Sequence, residues 1–466
     1  SFAKRKPALS IAVLPFADMS PEKDQEYFCD GMAEELINTL TRVEGLRVTS
    51  RTSAFQFKGQ AQDIRDIAEQ LNVATVLEGS VRKSGDKLRI TAQLVKASEG
   101  FQLWSERFER DVKDVFAVQD EISEAIVNTL KSKLVDAARV TALRRYTENL
   151  EAYNLYLQGR YYWAKRTEED LNKGIEFFNQ AIDIDPDYAL AYSGLADSHI
   201  MLGTYGALAP KKTMPKAEKA ALNALRIDES LAEAHASLGC FRAIYNWDWS
   251  TAEQDFRRAI ELNPSYATAH HWYAINCLVP QKRFDEAFAH MKRARDLDPL
   301  SHFINASMGL LHYFSGQYDL AIENYQKTID MEPNFGVAHF FQGQAYLKQA
   351  KYREAITAFV EAIALHGDST NMLANLTNAY AVMGKNDGAR KRLSQLLDMA
   401  KDRYVSEYDV AIIHASFGEH DKAFEWLEMA RSERSYLLIY LNVDPMMQNL
   451  RPDPRFAGQL EQIGLS

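Results

Sequence analysis

Four histidines are the side chains whose spacing most resembles a ligand set. His235, His270 and His339 occupy equivalent places in a repeated pattern, and His271 adjoins one of them. Equivalent places in stacked units point the same way, so the three imidazoles would form a row. Neighbouring helices lie about 10 Å apart, however, which is too far for one ion to bind residues of several units. The spacing therefore favours packing, at places where an aromatic side chain is usual, and we assign no metal.

Three aspartates, Asp183, Asp185 and Asp187, imitate the start of a calcium-binding loop. Such a loop needs a glycine at its sixth place and a glutamate at its twelfth, where this chain has Tyr188 and Gly194. The aspartates also fall where a repeated helix is expected to end. The pattern therefore predicts a helix end and no calcium site.

Catalytic signatures are missing from the sequence. It contains no glycine-rich phosphate loop, no H-E-x-x-H and no G-x-S-x-G. The cysteines Cys29, Cys240 and Cys277 lack the spacing of a metal or redox motif, and the last two are expected to pack as small apolar side chains. We therefore expect a non-catalytic chain without a cofactor.

The elements that position these residues come from one repeated pattern. Its clearest copies are Ala252-x3-Phe256-x2-Ala259 and Ala321-x3-Tyr325-x2-Thr328. Eight such anchors, from Gly174 to Ala423, are separated by 43, 35, 35, 34, 34, 34 and 34 residues. Small residues let paired helices approach, aromatic residues fill the groove between units, and prolines such as Pro264 end the second helix. Each unit is predicted to be two antiparallel helices that are stable only when stacked on neighbours.

This period and pattern resemble the tetratricopeptide repeat (TPR), a helix pair of 34 residues. The resemblance implies an all-α superhelical solenoid of about eight helix pairs over residues 151–430. In that fold the first helix of each pair faces a concave groove. Projection onto this sequence gives the expected groove-lining, partner-binding residues: Tyr153, Tyr156, Arg160, Asp197, His271, Phe303, Tyr313, Phe340, Gln344 and Asn378.

Aromatic rings with a few polar groups suit an extended peptide or a partner helix. The alternative is that some of these side chains are only buried between repeats. One subtype is excluded, because the clamp for chaperone tails needs a Lys and an Asn one turn apart on these faces. The matching pairs here are Tyr156/Arg160, Ser193/Asp197, Ala236/Cys240 and Ala306/Leu310.

Two segments interrupt or follow the repeats. Residues 203–215 account for the 43-residue interval and are expected to form a long loop, which is either a contact site or a tolerated surface insertion. Residues 431–466, with a helix over 456–463, are expected to cap the apolar end of the stack.

The first 135 residues predict a separate α/β domain with a small mixed sheet. Strands are expected at 11–16, 46–50, 74–82, 88–94 and 101–108. Helices are expected from Asp30 as the capping residue, over 63–71 and over 114–134. Residues 136–150, with Arg139, Arg144 and Arg145, are expected to be a linker.

The amino-terminal segments Ile11-Ala-Val-Leu-Pro-Phe16, Asp30-Gly31-Met32-x2-Glu35-Leu36 and Leu103-Trp104-Ser105-Glu106-Arg107-Phe108 resemble the TolB-like amino-terminal domain. Its coupling to a TPR array resembles composite bacterial signalling proteins. In those the pair follows an output domain, such as a nucleotide cyclase, a winged-helix DNA binder or a kinase, and none of these is present here. The resemblance implies the sensory or docking half of a longer protein.

Composition sets the remaining expectations. A formal charge of −10 and a pI near 5.7 argue against direct nucleic-acid binding, and no run of 18 apolar residues would span a membrane. The chain begins at Ser1, so a processed form or a fragment is expected. We expect a protein or peptide partner, with a small-ligand sensor as the alternative, and homo-oligomers are compatible with the array. The expected location is periplasmic or membrane-attached in a bacterium, with the cytoplasm as the alternative.

Overall fold

The computed structural model describes residues 9–23, 25–43, 45–60, 62–130, 146–367 and 369–465. The described part of the amino-terminal region is an α/β unit. Its strands are β1 Ser10–Val13, β2 Ala17–Asp18, β3 Arg47–Val48, β4 Thr75–Ser84, β5 Lys87–Lys96 and β6 Phe101–Asp111. Its helices are α1 Glu26–Leu40, α2 Arg51–Ala54, α3 Ile64–Gln70 and α4 Val115–Leu130.

The sheet is mixed, as the sequence predicts. Its order is β3-β1-β4-β5-β6, with β2 paired to β4. Strand β1 runs parallel to β3 and β4, whereas β4, β5 and β6 are antiparallel neighbours. Along β5 the apolar side chains alternate with polar ones, so Leu88, Ile90 and Leu94 are buried beneath α1 and α4.

Two details of this region differ from the prediction. Helix α1 begins at Glu26, one turn before the predicted cap, and Asp30 lies inside the helix. Asp30 is buried and its carboxylate accepts a hydrogen bond from Lys58 Nζ at 2.8 Å. A buried aspartate with a lysine partner is compatible with a helix interior, so the capping assignment was wrong. The predicted last helix is described up to Leu130, and residues 131–134 lie outside the described residues, as does most of the predicted linker.

The rest of the chain is an array of paired helices. The first helices of the pairs are α5 Leu150–Trp163, α7 Ala189–Thr204, α9 Ala232–Phe241, α11 Ala267–Trp272, α13 His302–Phe314, α15 Gly336–Lys348, α17 Thr370–Val382 and α19 Glu407–Ser416. The second helices are α6 Glu168–Ile184, α8 Pro210–Ile227, α10 Trp249–Leu262, α12 Phe284–Leu297, α14 Tyr318–Met331, α16 Tyr352–His366, α18 Asn386–Met399 and α20 His420–Ser432.

Four of the pairs close where a ring of the second helix lies over a glycine of the first. A Cβ atom on Gly309 would lie 2.4 Å from the Tyr325 ring, and one on Gly343 would lie 2.8 Å from the Phe359 ring. Tyr325 and Phe359 are completely buried. Only glycine leaves room for these rings, so the small–aromatic pattern of the sequence is explained by close packing.

The predicted long loop at residues 203–215 is not present. Helix α7 continues to Thr204 and α8 begins at Pro210, so only five residues connect them. Most of the inserted residues instead extend α8 to 18 residues, with Pro210 in its first turn, where a missing N–H has no cost. The prediction of a loop was wrong because the inserted residues from Pro210 onwards, including Pro215, are part of α8.

Candidate functional site: the concave face of the array

The first helices of neighbouring pairs lie side by side and are linked by polar side chains. Ser237 Oγ donates to Asp197 Oδ1 at 2.6 Å, and Gln344 Nε2 donates to Asn375 Oδ1 at 2.9 Å. His271 Nε2 lies 2.8 Å from Ser307 Oγ. Burial raises the pKa of Asp197 to about 6, although the Ser237 hydroxyl opposes this shift. We call the surface formed by these first helices the concave face.

The ten residues that the sequence placed on this face divide into two groups. Six expose 6% or less of their surface: Tyr153, Tyr156, Asp197, Tyr313, Phe340 and Asn378. Four are partly exposed: Arg160, His271, Phe303 and Gln344. The six buried residues offer no surface to a partner in this conformation, so the alternative of burial applies to them. Partner contact by the other four stays a prediction.

The α/β unit covers the concave face at the first pair. Arg160 Nε lies 2.7 Å from Glu34 Oε1 of α1, and Arg51 Nε lies 2.9 Å from the other oxygen of Glu34. Gln119 Nε2 of α4 donates to Tyr153 Oη at 2.6 Å, while the Phe116 ring packs edge-on against Tyr153. Two predicted partner contacts, Tyr153 and Arg160, are therefore used within the chain.

A second attachment lies at the end of α12. The Ser50 N–H donates to Leu297 O, and the Ser53 N–H donates to Asp298 Oδ1, each at 2.9 Å. Ser53 Oγ in turn accepts from the Leu300 N–H at 2.8 Å. These bonds, one between two backbone groups and two between backbone and side chain, fix the α/β unit to the turn between the fourth and fifth pairs.

Two neighbouring glutamates of α1, at the attachment to the first pair, have pKa values that are shifted in opposite directions. Burial would raise the pKa of Glu34, but the guanidinium groups of Arg160 and Arg51 outweigh it and lower that pKa. Burial, together with the charge of Glu34, raises the pKa of Glu35 to about 7. Oε1 of Glu35 is buried without a hydrogen-bond partner among the described residues. Glu34 is therefore charged at neutral pH, whereas Glu35 titrates there.

Residues 433–465, which we call the carboxyl-terminal segment, cover the other part of the concave face. Tyr436 Oη donates to Asn276 Oδ1 at 3.0 Å, and the Tyr440 ring stacks on Phe314 with centroids 4.7 Å apart. Lys348 Nζ donates to the Pro445 carbonyl oxygen at 2.9 Å. The segment thus contacts the first helices of several successive pairs and fills the groove that they form.

The predicted position of this segment was incomplete. Its helix α21, Pro454–Gln462, does pack on the last repeat, where Arg455 Nη1 lies 2.9 Å from Asp421 Oδ1. Beyond α21, however, the Ile463 carbonyl oxygen accepts from Trp249 Nε1 of the third pair at 2.8 Å. The segment therefore joins the last repeat to earlier ones and is more than a cap on the end of the stack.

Two first helices change their geometry where they meet the carboxyl-terminal segment. Residues Arg242–Asn246 and Tyr273–Leu278 are π-helical. The second of these holds Asn276, and the first holds Tyr245, whose carbonyl oxygen accepts from Arg434 Nη1 at 2.9 Å. π-Helical turns occur often at functional sites because they turn side chains out of the regular helix pattern. Sequence reasoning missed these residues, and the only available signal was the apolar run 436–441, which departs from the repeat pattern.

The equivalent histidines share a structural role. Nε2 of His235, His270 and His339 lies 3.0, 3.3 and 3.4 Å from the carbonyl oxygen six residues upstream. Asn305 occupies the same place and donates to Pro299 O at 2.9 Å. Each side chain thus ties the first helix to the turn before it. Among the described residues, no group of three or more His, Cys, Asp or Glu side chains has the arrangement of a metal site.

Comparison with known proteins identifies the repeats. Tetratricopeptide-repeat families match residues 152–188, 242–302, 307–371 and 346–409. The array is therefore one of tetratricopeptide repeats, a class that is generally non-catalytic and implies protein partners. Residues 7–125 match the family described as HilA/YgeH-like transcriptional regulator, second domain. The TolB-like resemblance is not confirmed.

Two relatives illustrate how far the similarity extends. "Putative adenylate cyclase 3" of Rhizobium meliloti (strain 1021) is 39% identical over 187 residues, which are 40% of this chain and 32% of the relative. "Tetratricopeptide repeat protein 6" of Homo sapiens is 23% identical over 216 residues, 46% of this chain and 40% of the relative. The chain therefore spans well under half the length of these relatives.

Two solved structures are similar to parts of this chain. The Cut9 and Hcn1 hetero-tetramer of APC/C has a TM-score of 0.47 at 15% identity, covering 76% of this chain and 63% of that chain. PilF of Pseudomonas aeruginosa has a TM-score of 0.34 at 20% identity, covering 48% and 96%. Within the described residues, no helix is long and apolar enough to cross a membrane.

Proposed function

We propose that this chain is a non-catalytic protein-interaction module of a bacterial signalling or envelope protein, whose concave face binds an extended polypeptide. The observation that carries the proposal is that this face already holds one, the carboxyl-terminal segment. The segment is held by side chains of the array, including Asn276, Phe314 and Lys348. Hydrogen bonds to side chains combined with apolar burial are the means by which helical grooves recognise peptides.

In this proposal a partner segment replaces the carboxyl-terminal segment. The side chains of the bound segment then indicate what the partner must carry. These are two tyrosines four residues apart, whose hydroxyls reach Asn276, with apolar residues between and after them. Leu438, Ile439 and Leu441 are at most 1% exposed, so a replacement must bury comparable apolar side chains. The partly exposed His271, Phe303 and Gln344 lie on the same first helices and are the predicted additional contacts. Arg160 is not among them here, because Glu34 of the α/β unit already holds it.

A capture experiment with three baits tests the proposal. The wild-type chain, a Tyr440→Ala chain and a Tyr440→Ala/Asn276→Ala/Lys348→Ala chain are incubated with bacterial extract, and bound proteins are identified by mass spectrometry. Tyr440→Ala weakens the chain's own segment and leaves the groove intact, so a partner should be enriched on that bait and lost from the triple variant. Leu320→Ala is the control, because Leu320 is 44% exposed and lies on α14, a second helix that does not form the concave face.

Circular dichroism establishes that each bait is folded before capture. A partner retained equally by all baits would show that the concave face is not the binding surface.

A second candidate function is a sensor that controls a linked output. It is favoured by one observation, the similarity to a relative named as an adenylate cyclase. In this version a small ligand changes how the α/β unit sits on the array, and a cyclase domain elsewhere in the full protein responds. Thermal unfolding of the chain with panels of metabolites tests it, since a ligand that binds only the folded state raises the melting temperature. Absence of any specific shift would oppose it.

A further inference from the structure

Strand β6 forms one edge of the sheet. It pairs with β5 along one side, and among the described residues no strand lies beyond it. Its charged side chains are open to solvent, since Arg107, Glu109 and Arg110 expose 62%, 54% and 41%. An edge strand of 11 residues presents a row of backbone N–H and C=O groups to which another strand can pair.

The charges along β6 restrict which strand can pair with it. Two identical antiparallel strands related by a two-fold axis normal to the sheet must place residues of the same face opposite each other, so the axis passes through a residue. An axis at Glu106, Arg107, Glu109 or Arg110 would place identical charges opposite each other, which is destabilising. An axis at Phe108 avoids this problem.

With the axis at Phe108, four of the five charged residues of the strand meet an opposite charge, and the fifth meets a neutral serine. Arg107 faces Glu109 of the second copy, Glu106 faces Arg110, and Ser105 faces Asp111. Each of these pairs occurs twice because the strands are identical. Among the registers centred between Glu106 and Arg110, only the one centred on Phe108 avoids placing identical charges opposite each other.

We propose that β6 is a self-association edge, through which two copies of this chain join their sheets by antiparallel β6–β6 pairing centred on Phe108. The occupant is a second copy because the complementarity is between the strand and itself. Backbone hydrogen bonds supply the attraction, and the charge pattern selects the register. The same pattern discourages pairing with other strands, which is how exposed edges are protected from aggregation.

Existing ion pairs are compatible with this arrangement. Arg89 Nε lies 2.8 Å from Glu109 Oε1, and Arg107 Nη2 lies 3.5 Å from the same oxygen. All three side chains are about half exposed, so they can contact a second copy without leaving a core position. The dimer would extend this row into an alternating network across the axis.

Charge reversal tests the proposal. The oligomeric state of the whole chain is measured by analytical ultracentrifugation over a range of concentrations, for the wild type and for Arg107→Glu. The substitution turns both Arg–Glu pairs into Glu–Glu pairs, so we expect the dimer dissociation constant to rise about tenfold or more. The double variant Arg107→Glu/Glu109→Arg exchanges the charges and restores the complementarity, so its dimer should return.

The matched control is Lys327→Glu, a reversal at a side chain of α14 that is 65% exposed and far along the chain. It should leave the dimer unchanged. A wild type that stays monomeric at high concentration overturns the proposal. So does an Arg107→Glu dimer as tight as the wild type, or a double variant that fails to recover.

A disulfide experiment tests the register itself. Opposite residues of antiparallel strands have Cβ atoms about 4.5–5.5 Å apart, within reach of a disulfide, whereas diagonal ones are about 7–8 Å apart. Mixing Arg107→Cys and Glu109→Cys chains should therefore give a cross-linked heterodimer, while Arg107→Cys alone should not cross-link. The native Cys29, Cys240 and Cys277 are buried and leave the new thiols as the accessible ones. Equal cross-linking in both samples would contradict the Phe108-centred register.

Discussion

The two elements that cover the concave face attach to it by different chemistry. The α/β unit is held by charge and by backbone hydrogen bonds, through Glu34 with Arg160 and through Ser53 with Asp298. The carboxyl-terminal segment is held by aromatic and apolar packing with a few hydrogen bonds, through Tyr436 and Tyr440. The first attachment should therefore respond to charge and pH, and the second to the loss of side-chain volume.

The largest effect is expected from removing the Tyr440 ring. Tyr440 is 3% exposed, stacks on Phe314 and approaches the Tyr436 hydroxyl. Tyr440→Ala should lower the free energy of unfolding by about 4 kcal/mol, since truncating a buried aromatic side chain leaves a cavity. Urea unfolding followed by circular dichroism measures it, with Tyr205→Ala as an exposed aromatic control. A loss below about 1 kcal/mol would contradict tight packing of the segment.

The next effect comes from the charged attachment. Glu34→Gln leaves Arg51 and Arg160 without the carboxylate that they share. The cost is large because all three groups lie mostly out of solvent. Breaking one member of a buried ion pair costs about 3 kcal/mol. The same unfolding measurement detects this cost. The control is Glu121→Gln, which breaks an exposed pair with Arg110 and should lower the free energy of unfolding by less than about 1 kcal/mol. Equal costs for the two variants would show that Glu34 does not hold the α/β unit.

The stability of the charged attachment should depend on pH. Burial and Glu34 raise the pKa of Glu35 to about 7, so the folded state favours its protonated form. This contribution to stability is fully present below about pH 4.5 and is lost as the pH rises through 7. Asp197 and Asp409, with pKa values raised to about 6 and about 7 by burial, act in the same direction.

The wild type should therefore lose stability between pH 5 and pH 8, and Glu35→Gln should lose less by roughly 1–2 kcal/mol. Melting temperatures measured across this pH range for both chains test the prediction. Identical slopes of melting temperature against pH would show that Glu35 does not contribute to the pH dependence. Glu34 does not add to this loss, because its pKa is lowered.

The smallest effect is expected from a single hydroxyl of the segment. Tyr436→Phe removes the bond to Asn276 and keeps the ring, so the free energy of unfolding should fall by about 1 kcal/mol. Urea unfolding, with duplicate samples and the partly exposed Tyr162→Phe as a control, resolves such a difference. A cost near that of Tyr440→Ala would mean that hydrogen bonds, and not packing, hold the segment.

Local patterns predicted local structure well. The repeat anchors Ala321 and Tyr325 are completely buried, as their spacing indicates, and the strands of the hairpin begin and end within a few residues of the predicted bounds. These features depend on contacts within one unit or between neighbours. Alternation along β5 and the 34-residue period are therefore sufficient to predict them.

Long-range contacts could not be predicted from those patterns. Tyr436 meets Asn276 across 160 positions of the chain, and Arg160 meets Glu34 across 126. Neither pair has a spacing that repeats, so no periodicity marks it. The groove prediction assumed an open concave face because each repeat, taken alone, leaves that face uncovered. The α/β unit and the carboxyl-terminal segment, which carry no repeat pattern, cover that face.

Amide hydrogen exchange over residues 436–450 tests directly whether the concave face holds the carboxyl-terminal segment. The whole chain is compared with Asn276→Ala by mass spectrometry of peptic fragments. We expect slow exchange over these residues in the wild type, comparable with that of the first helices, and faster exchange in the variant. Exchange within seconds in the wild type, at the rate of an unfolded peptide, would show that the segment does not occupy the groove.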